Sequence, residues 1–174
     1  YVPSGPLTNT HTVTFTGTLT RTTNENAGTY SITQGSLTNA NYSITYVGAD
    51  LSITSKTLTI TAADKTKVYD SAVYTPTDYT VTYDGFVGVE DESVLSGTIT
   101  YTGTAIAATA SGTYVITPYG LTSSNYSITY VSGELNITQK PITIAITNQA
   151  KVFGASDPSP FNAHSISVGS VYGQ

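Results

Sequence analysis

The 174-residue sequence contains no cysteine, no methionine and no tryptophan. Without cysteine there is no disulfide framework and no thiolate metal site. Only 10% of the residues are charged, and a net charge of −5 leaves no basic face for nucleic acid. No apolar run approaches the ~20 residues that cross a bilayer, so we expect no membrane span in this segment.

Motifs of enzyme active sites are also missing. The only two histidines are His11 and His164, and no G-x-S-x-G, P-loop or dinucleotide-binding pattern occurs. We therefore predict a protein that is not an enzyme, with no catalytic residues and no cofactor-binding residues.

The sequence instead contains an internal repeat. Residues Gly28–Ile60 align without a gap to Gly112–Ile144, and 20 of the 33 aligned positions are identical. The register continues from Lys67–Asp70 to Lys151–Gly154, an offset of 84 residues throughout. Self-similarity at a fixed period is typical of tandem arrays, whose units build length or present surface.

The phase of the repeat predicts the domain boundaries. Residues 56–139 form a complete module of about 84 residues, residues 1–55 the C-terminal part of one module, and residues 140–174 the N-terminal part of the next. The two end pieces together approximate one further module. This pattern indicates either a section of a longer tandem array, cut out of phase with its domain boundaries, or a subunit whose split module is completed by a second chain.

Alternation with a period of two predicts an all-β fold with very little helix. In Tyr42–Tyr46, the tyrosines and Ile44 share one face while Ser43 and Thr45 share the other. Further strands are expected around 12–19, 29–33, 51–53, 58–62, 79–83, 94–101, 113–117, 126–130, 135–137 and 142–146. Gly48 and Ser132-Gly133 predict hairpins, and 87–93 and 105–110 could hold a helical turn. A β-grasp-like sheet and an immunoglobulin-like sandwich both fit this pattern.

The connections between modules are short. Only Ser55-Lys56-Thr57 separates two predicted strands at the first joint, and the second contains Lys140 and Pro141. Because proline fixes φ and the connections leave little slack, we expect the modules to form a semi-rigid rod with Lys56, Lys140 and Pro141 at its joints.

Four segments carry the resemblance to a known family. The first is Leu19–Ile32, with its Glu-Asn-Ala-Gly-Thr-Tyr core, and the second is Asn41–Val47, followed by a Leu-x-Ile-Thr-x-Lys joint. These resemble the modules called MBG domains. Lys67–Asp70 is similar to the related YDG class, and Lys151–Pro158 resembles the YGX class. The resemblance implies a predominantly β, stalk-like module of secreted bacterial adhesins similar to filamentous haemagglutinins, and no catalytic residues.

Two groups of side chains are candidate sites. The acidic residues Asp84, Glu90, Asp91 and Glu92 could offer oxygen ligands to calcium, although they lack a spaced ligand ladder and suit a solvated loop better. Asp70 aligns with Gly154, which favours a tight turn over a metal ligand. An exposed aromatic patch could bind glycan or a neighbouring filament through these side chains: Tyr69, Tyr74, Tyr79, Tyr83, Tyr101 and Tyr119.

The sequence therefore predicts a secreted or surface-exposed structural repeat, whose partners are neighbouring copies of the same repeat. Two alternatives stay open at this stage. The module could itself bind glycan or host protein, or separate chains could polymerise by completing each other's split module through strand addition.

Overall fold

The computed structural model describes residues 13–145, 148–157 and 165–167. Within them the chain forms β1 (Thr20–Arg21), β2 (Gly28–Thr33), β3 (Ala49–Ile53), β4 (Lys56–Ala62), β5 (Lys65–Val68), β6 (Val81–Asp84), β7 (Ser96–Thr102), β8 (Gly112–Thr122), β9 (Tyr126–Val131), β10 (Gly133–Thr138), β11 (Thr143–Ala145) and β12 (Ser165–Ser167). Single 3-10 turns occur at Pro76–Asp78, Glu92–Val94 and Thr104–Ala107.

The all-β prediction is confirmed, because strands dominate the described residues and the helical content is limited to these 3-10 turns. The turns at Glu92–Val94 and Thr104–Ala107 lie where the sequence allowed helical turns. No helix in the described part of the chain is long and apolar enough to cross a membrane.

The chain divides into two compact units. One comprises residues 1–56 with 124–127, and the other comprises residues 57–123 with 128–174. The first unit contains the antiparallel sheet β1-β2-β3. Residues 124–127 belong to it because the Asn125 side chain accepts a hydrogen bond from the Ala27 N–H (2.9 Å) and donates one to the Asn26 side-chain oxygen (2.9 Å).

The second unit contains two larger sheets, in the orders β5-β10-β8-β7 and β6-β4-β9. Strand β8 pairs antiparallel with β10 and β7, and β4 pairs antiparallel with β6, whereas β10 pairs parallel with β5. The N-terminal half of the long strand β8 pairs with β10, and its C-terminal half pairs with β7. This arrangement of two sheets supports the sandwich alternative.

A buried apolar cluster joins elements of the second unit. Its members are Ala62, Tyr79, Ala105, Ala108, Ile116, Leu135 and Ile137. The two strands β8 and β10 contribute the branched aliphatic side chains, which alternate with exposed residues along each strand. Burial of each such side chain stabilises the fold by about 1.5–3 kcal/mol.

The sequence repeat is also a structural repeat. In the first copy β2 pairs with β3 from Gly28↔Ile53 to Ile32↔Ala49, and in the second β8 pairs with β10 from Gly112↔Ile137 to Ile116↔Gly133. Each of the five residue pairs shifts by 84 positions on both strands. The two copies therefore share one hydrogen-bond register.

Two predicted strands were wrong, and one observed strand of the larger sheets was not predicted. Residues 42–46 form no strand, and of 12–19 the described part offers only the isolated bridge Thr16↔Thr38. Strand β5 was not predicted, because its lysines and threonines lack an alternating apolar pattern.

The predicted hairpin at Ser132-Gly133 is instead a change of sheet. Strand β9 pairs in one sheet of the second unit and β10 in the other, with only Ser132 between them. Gly133 permits this because a Cβ at its position would stand 2.5 Å from the Ala62 carbonyl oxygen. Only a residue without a side chain allows the backbones to approach so closely.

Candidate functional site

The predicted joints lie where a strand begins or has just ended. Lys56 is the first residue of β4, and its N–H donates a hydrogen bond to the Asn125 carbonyl (3.0 Å). Lys140 and Pro141 lie between β10 and β11. Two residues separate β3 from β4 and four separate β10 from β11. The stiffness of these joints stays a prediction.

The acidic candidates all lie on the surface. Asp84 ends β6, and Glu90, Asp91 and Glu92 form an exposed loop before β7. Asp91 caps the 3-10 turn by accepting a hydrogen bond from the Ser93 N–H (2.9 Å). Hydrogen bonds from the Ser93 side chain and then from its N–H lower the pKa of Asp91. Across the described residues no three acidic or histidine side chains converge on one point, so calcium binding stays an untested prediction.

Asp70 organises a turn after β5. Its carboxylate accepts a hydrogen bond from the Ala72 N–H (3.0 Å) and pairs with the Lys67 ammonium (2.6 Å), which also donates to the Ala72 carbonyl (2.7 Å). The Lys67 hydrogen bond is the main reason that the pKa of Asp70 is lowered. The predicted turn exists, but the residue with positive φ is Ser71 (62°), one position later than the sequence indicated.

The corresponding turn in the next copy takes its positive φ at Gly154 (86°). Its lysine, Lys151, pairs with Asp157. The lysine therefore has a carboxylate partner in both turns, although the acid comes from different positions.

Most side chains of the predicted tyrosine patch are buried in the core or packed against it. Tyr79 is only 5% exposed, and its ring lies 5.3 Å from that of Tyr74 and 5.1 Å from that of Tyr101. Tyr69, Tyr74 and Tyr101 are half-buried against the apolar cluster. The prediction that these side chains form an exposed patch was therefore wrong for Tyr79, because the rings of Tyr74 and Tyr101 and the rest of the apolar cluster enclose it.

The two remaining tyrosines of this predicted patch differ from each other. Tyr83 is half-buried with its ring 5.7 Å from that of Phe86, whereas Tyr119 is 48% exposed. Burial raises the pKa of Tyr74, Tyr79, Tyr83 and Tyr101, since the ionised phenolate loses hydration.

A tyrosine contact that the sequence analysis missed is repeated in both copies. The Tyr30 hydroxyl donates to the Asn26 carbonyl (2.8 Å), and the Tyr114 hydroxyl donates to the Ala110 carbonyl (3.0 Å). A Cβ on Gly28 or Gly112 would stand 3.3 Å from the hydroxyl oxygen of that tyrosine. The repeated Gly-Thr-Tyr triplet is the signal that could have predicted this contact. It fixes the chain entering β2 and β8.

Equivalent apolar residues differ in exposure between the copies. Tyr126 is 5% exposed and Leu135 is fully buried, whereas Tyr42 is 47% and Leu51 is 37% exposed. Tyr42 also lines a shallow cavity of about 220 Å³ with Val13, Thr14, Thr16, Asn39, Ala40 and Asn41. The first copy thus presents apolar side chains that the second copy buries.

The same contrast holds at the other end of the repeat. Leu58 of β4 is fully buried, but its equivalent Ile142 is 59% exposed. Tyr69 is half-buried, but its equivalent Phe153 is fully exposed. Ile142 and Phe153 are therefore exposed equivalents of apolar residues that are buried or half-buried in the other copy.

These features define a tandem all-β repeat without an assembled catalytic constellation in its described residues. The family model of the MBG domain (YGX type) matches residues 3–52 and 58–136, most of the chain, so the chain belongs to the MBG domain family. The two matches end at equivalent residues, and the second includes the Lys67–Asp70 segment that resembled the YDG class. No curated protein and no solved structure matches the chain significantly.

This family is a non-catalytic, structural type of domain. Membership supports a repeat domain of an adhesin-like protein.

Proposed function

We propose that the chain is a non-enzymatic structural segment of a bacterial extracellular adhesin or stalk, which it extends as a semi-rigid rod of tandem β modules. The observation that carries this proposal is the identical register of the two copies, β2 with β3 and β8 with β10. Repetition of a whole strand pairing is typical of proteins that are built from copies of one structural module. An active site instead requires a single set of catalytic side chains in a defined geometry.

Composition supports an extracellular location. A chain rich in threonine, with 34 such residues, presents hydroxyls on the outer faces of its strands and carries little charge. The absence of cysteine means that neither oxidising nor reducing surroundings alter its covalent structure. Partners on this proposal are neighbouring copies of the repeat, and no cofactor is needed.

Surface labelling tests the location. Antibodies raised against the 174-residue chain should label intact source cells or their matrix, and external protease should remove the signal. An intracellular protein detected with a second antibody is the control for lysis. Labelling that appears only after the cells are permeabilised would contradict the proposal.

The denatured mass of the native polypeptide tests the construction. Material boiled in detergent and chaotrope should give a mass far above 18.2 kDa if the modules are covalently continuous. A mass of 18.2 kDa would replace the covalent stalk with a filament of separate subunits.

Recognition of glycan or host protein is the alternative function. Burial of Tyr79 and partial burial of its neighbours leave Tyr119 as the exposed ring of the predicted tyrosine patch, which disfavours this alternative. A glycan array can be probed with the wild-type chain and with the Tyr119→Ala variant. Binding by the wild type that the variant loses would support the recognition function.

A further inference from the structure

Seven consecutive residues, Asn-Tyr-Ser-Ile-Thr-Tyr-Val, occur twice, at 41–47 and at 125–131. In the second occurrence Tyr126–Val131 forms β9, whereas the described structure of 41–47 contains no strand. The sequences are identical, so local propensity does not explain the difference. The surroundings of each segment must explain it.

The second occurrence has a strand beside it. Strand β9 pairs with β4, whose other neighbour is β6, and β4 contributes the fully buried Leu58 and Ile60. In the first copy, no described strand is equivalent to β4 and none pairs with 41–47. A single strand has unpaired backbone groups and is marginal in water, so 41–47 lacks what makes it a strand.

The missing neighbour has a sequence equivalent at the other end of the chain. Residues 140–146, Lys-Pro-Ile-Thr-Ile-Ala-Ile, repeat the Lys-Thr-Leu-Thr-Ile-Thr-Ala of β4. Strand β11 within this segment pairs antiparallel with β12, as β4 pairs antiparallel with β6. In the described residues this sheet has two strands, whereas its equivalent β6-β4-β9 has three.

We propose that the β11–β12 sheet of one copy of this chain takes residues 41–47 of a second copy as its third strand. This proposal rests on the proposed function and gives the repeat its assembly partner. Ile142 and Phe153 of the donating copy would cover Tyr42 and Leu51 of the accepting copy. The equivalents Tyr126 and Leu135 are buried, and Tyr69, the equivalent of Phe153, packs against the cluster that contains Leu135. The arrangement is strand addition with apolar side chains as the specificity element.

The interface joins two different surfaces of the chain, so it is heterologous. Each copy can donate at one end and accept at the other, and such contacts extend into filaments unless the rotation closes a ring. A second copy is the favoured occupant because this chain carries both surfaces. Ile142 and Phe153 are exposed on one, Tyr42 and Leu51 are exposed on the other, and each set is matched by sequence to residues that are buried or half-buried in the complete module.

One residue differs at the place where the layers would meet. Ala49 in the first copy is equivalent to Gly133, where a Cβ would stand 2.5 Å from the Ala62 carbonyl. The docked backbone must therefore lie farther from Ala49 than Ala62 lies from Gly133. Ala49→Gly should tighten the association several-fold.

A mixing experiment with two variants tests the proposal. Ile142→Asp places a charge on the donating surface, and Tyr42→Asp places one on the accepting surface. The wild-type chain should show a mass that increases with concentration in light scattering, each variant alone should stay at 18.2 kDa, and their mixture should form dimers of twice that mass. Val89→Asp, at a fully exposed position outside both surfaces, is the matched control and should assemble as the wild type does.

A peptide provides a second measurement that does not depend on how the variants fold. A synthetic peptide of residues 140–174 should bind the wild-type chain, shorten its assemblies and slow hydrogen exchange in 41–47 by at least tenfold. The same peptide with Ile142→Asp is the control. A wild-type chain that stays monomeric at millimolar concentration and does not bind the peptide would overturn the proposal. This outcome is independent of the cell-labelling experiment, which tests the location of the protein.

Discussion

The two copies of the repeat agree in register but differ in burial. The pairing of β2 with β3 shifts by 84 residues to give that of β8 with β10, and the Tyr30 and Tyr114 hydroxyls bond to equivalent carbonyls. Yet Leu51 is 37% exposed where Leu135 is fully buried. Local sequence therefore determines the strand pairing and the Tyr contact at its start, while burial depends on the residues that cover the sheet.

A loop contributes to the same difference. In the second copy Ala105 and Ala108, at and just after the Thr104–Ala107 turn, are buried in the core. The equivalent positions in the first copy are Arg21 and Asn24. The Arg21 guanidinium donates to the Asn24 carbonyl (2.8 Å) and lies 5.9 Å from the centroid of the Tyr30 ring. A polar loop thus replaces an apolar one.

The largest expected effect is on the buried leucine. Leu135→Ala should reduce the free energy of unfolding of the second unit by about 2–5 kcal/mol, because it leaves a cavity in a packed core. Leu51→Ala should cost the first unit less than about 2 kcal/mol, since its side chain keeps part of its hydration. Urea denaturation followed by hydrogen exchange of β10 and β3 measures both. Equal losses would show that Leu51 is covered in solution.

The identical heptapeptides should exchange their amide hydrogens at different rates. Amides of 126–131 should exchange at least about 100-fold more slowly than those of 42–47, which corresponds to about 2.7 kcal/mol of local opening free energy. Exchange followed by mass spectrometry, in the Ile142→Asp background that suppresses association, provides the comparison. Equal protection of the two segments would mean that 41–47 has a strand partner within a single chain.

Tyr79→Phe should stabilise the second unit by about 1 kcal/mol, because the buried Tyr79 hydroxyl has no hydrogen-bond partner in the structure. Burial, and secondarily Tyr74, raises the pKa of Tyr79 above 10.0. The pKa of Tyr79 is higher in the folded than in the unfolded chain, so the unfolded chain loses this proton first. The free energy of unfolding therefore keeps its full value below pH 10 and falls as the pH rises through the folded pKa.

Thermal unfolding between pH 7 and pH 11 tests this prediction. The wild type should lose stability at the alkaline end, and Tyr79→Phe should lose less. Tyr119→Phe, at an exposed tyrosine, is the matched control. A destabilised Tyr79→Phe variant would show that the hydroxyl has a partner in solution.

The shared tyrosine contact should have similar effects in both copies. Tyr30→Phe and Tyr114→Phe each remove one hydrogen bond to a backbone carbonyl and should each cost about 1 kcal/mol. Chemical denaturation of the two variants, with Tyr42→Phe as the control, measures the losses. A loss confined to Tyr114→Phe would mean that this contact, too, depends on the covering layer.

The smallest effect concerns the turn after β5. Because Lys67 lowers the pKa of Asp70, the contribution of Asp70 to stability is present above its ordinary pKa of 3.8 and is lost as the pH falls through the lower folded value. Asp70→Asn should flatten this acidic limb in melting curves recorded between pH 2 and pH 6. Asp50→Asn in the first unit is the control, and an unchanged acidic limb in Asp70→Asn would contradict the role of the ion pair.

Particular elements show what the sequence could predict. Alternation identified β4, β9 and β10 because their apolar residues face a core, and tandem self-similarity led to the repeat and the family. Strand β5 was not predicted because its backbone pairs with β10 while its side chains show no apolar alternation. One of them, Lys67, forms an ion pair with Asp70 in the following turn. The strand predicted within 41–47 was wrong because this heptapeptide forms a strand only beside a neighbouring strand that is distant in sequence.

The candidate site was harder to predict than the fold. Joint positions followed from the spacing of strands, but the exposure of each tyrosine did not, because the same alternation fits a core face and a binding face. Tyr79 illustrates this point, since only the tertiary packing of Tyr74 and Tyr101 shows that its ring is enclosed. Sequence likewise gave no sign that Ser132 separates two sheets.

Strand order has a mechanical consequence for a chain held at both ends. Tension would enter the complete module through β4 and leave through β10. Each of these strands has a neighbour on both sides, β6 and β9 for the first and β5 and β8 for the second. Pulling either strand out must therefore break two ladders of hydrogen bonds, whereas β3 of the first copy pairs with β2 alone among the described strands. A completed module should resist stretching at both of its attachment points, while an uncovered one should yield first.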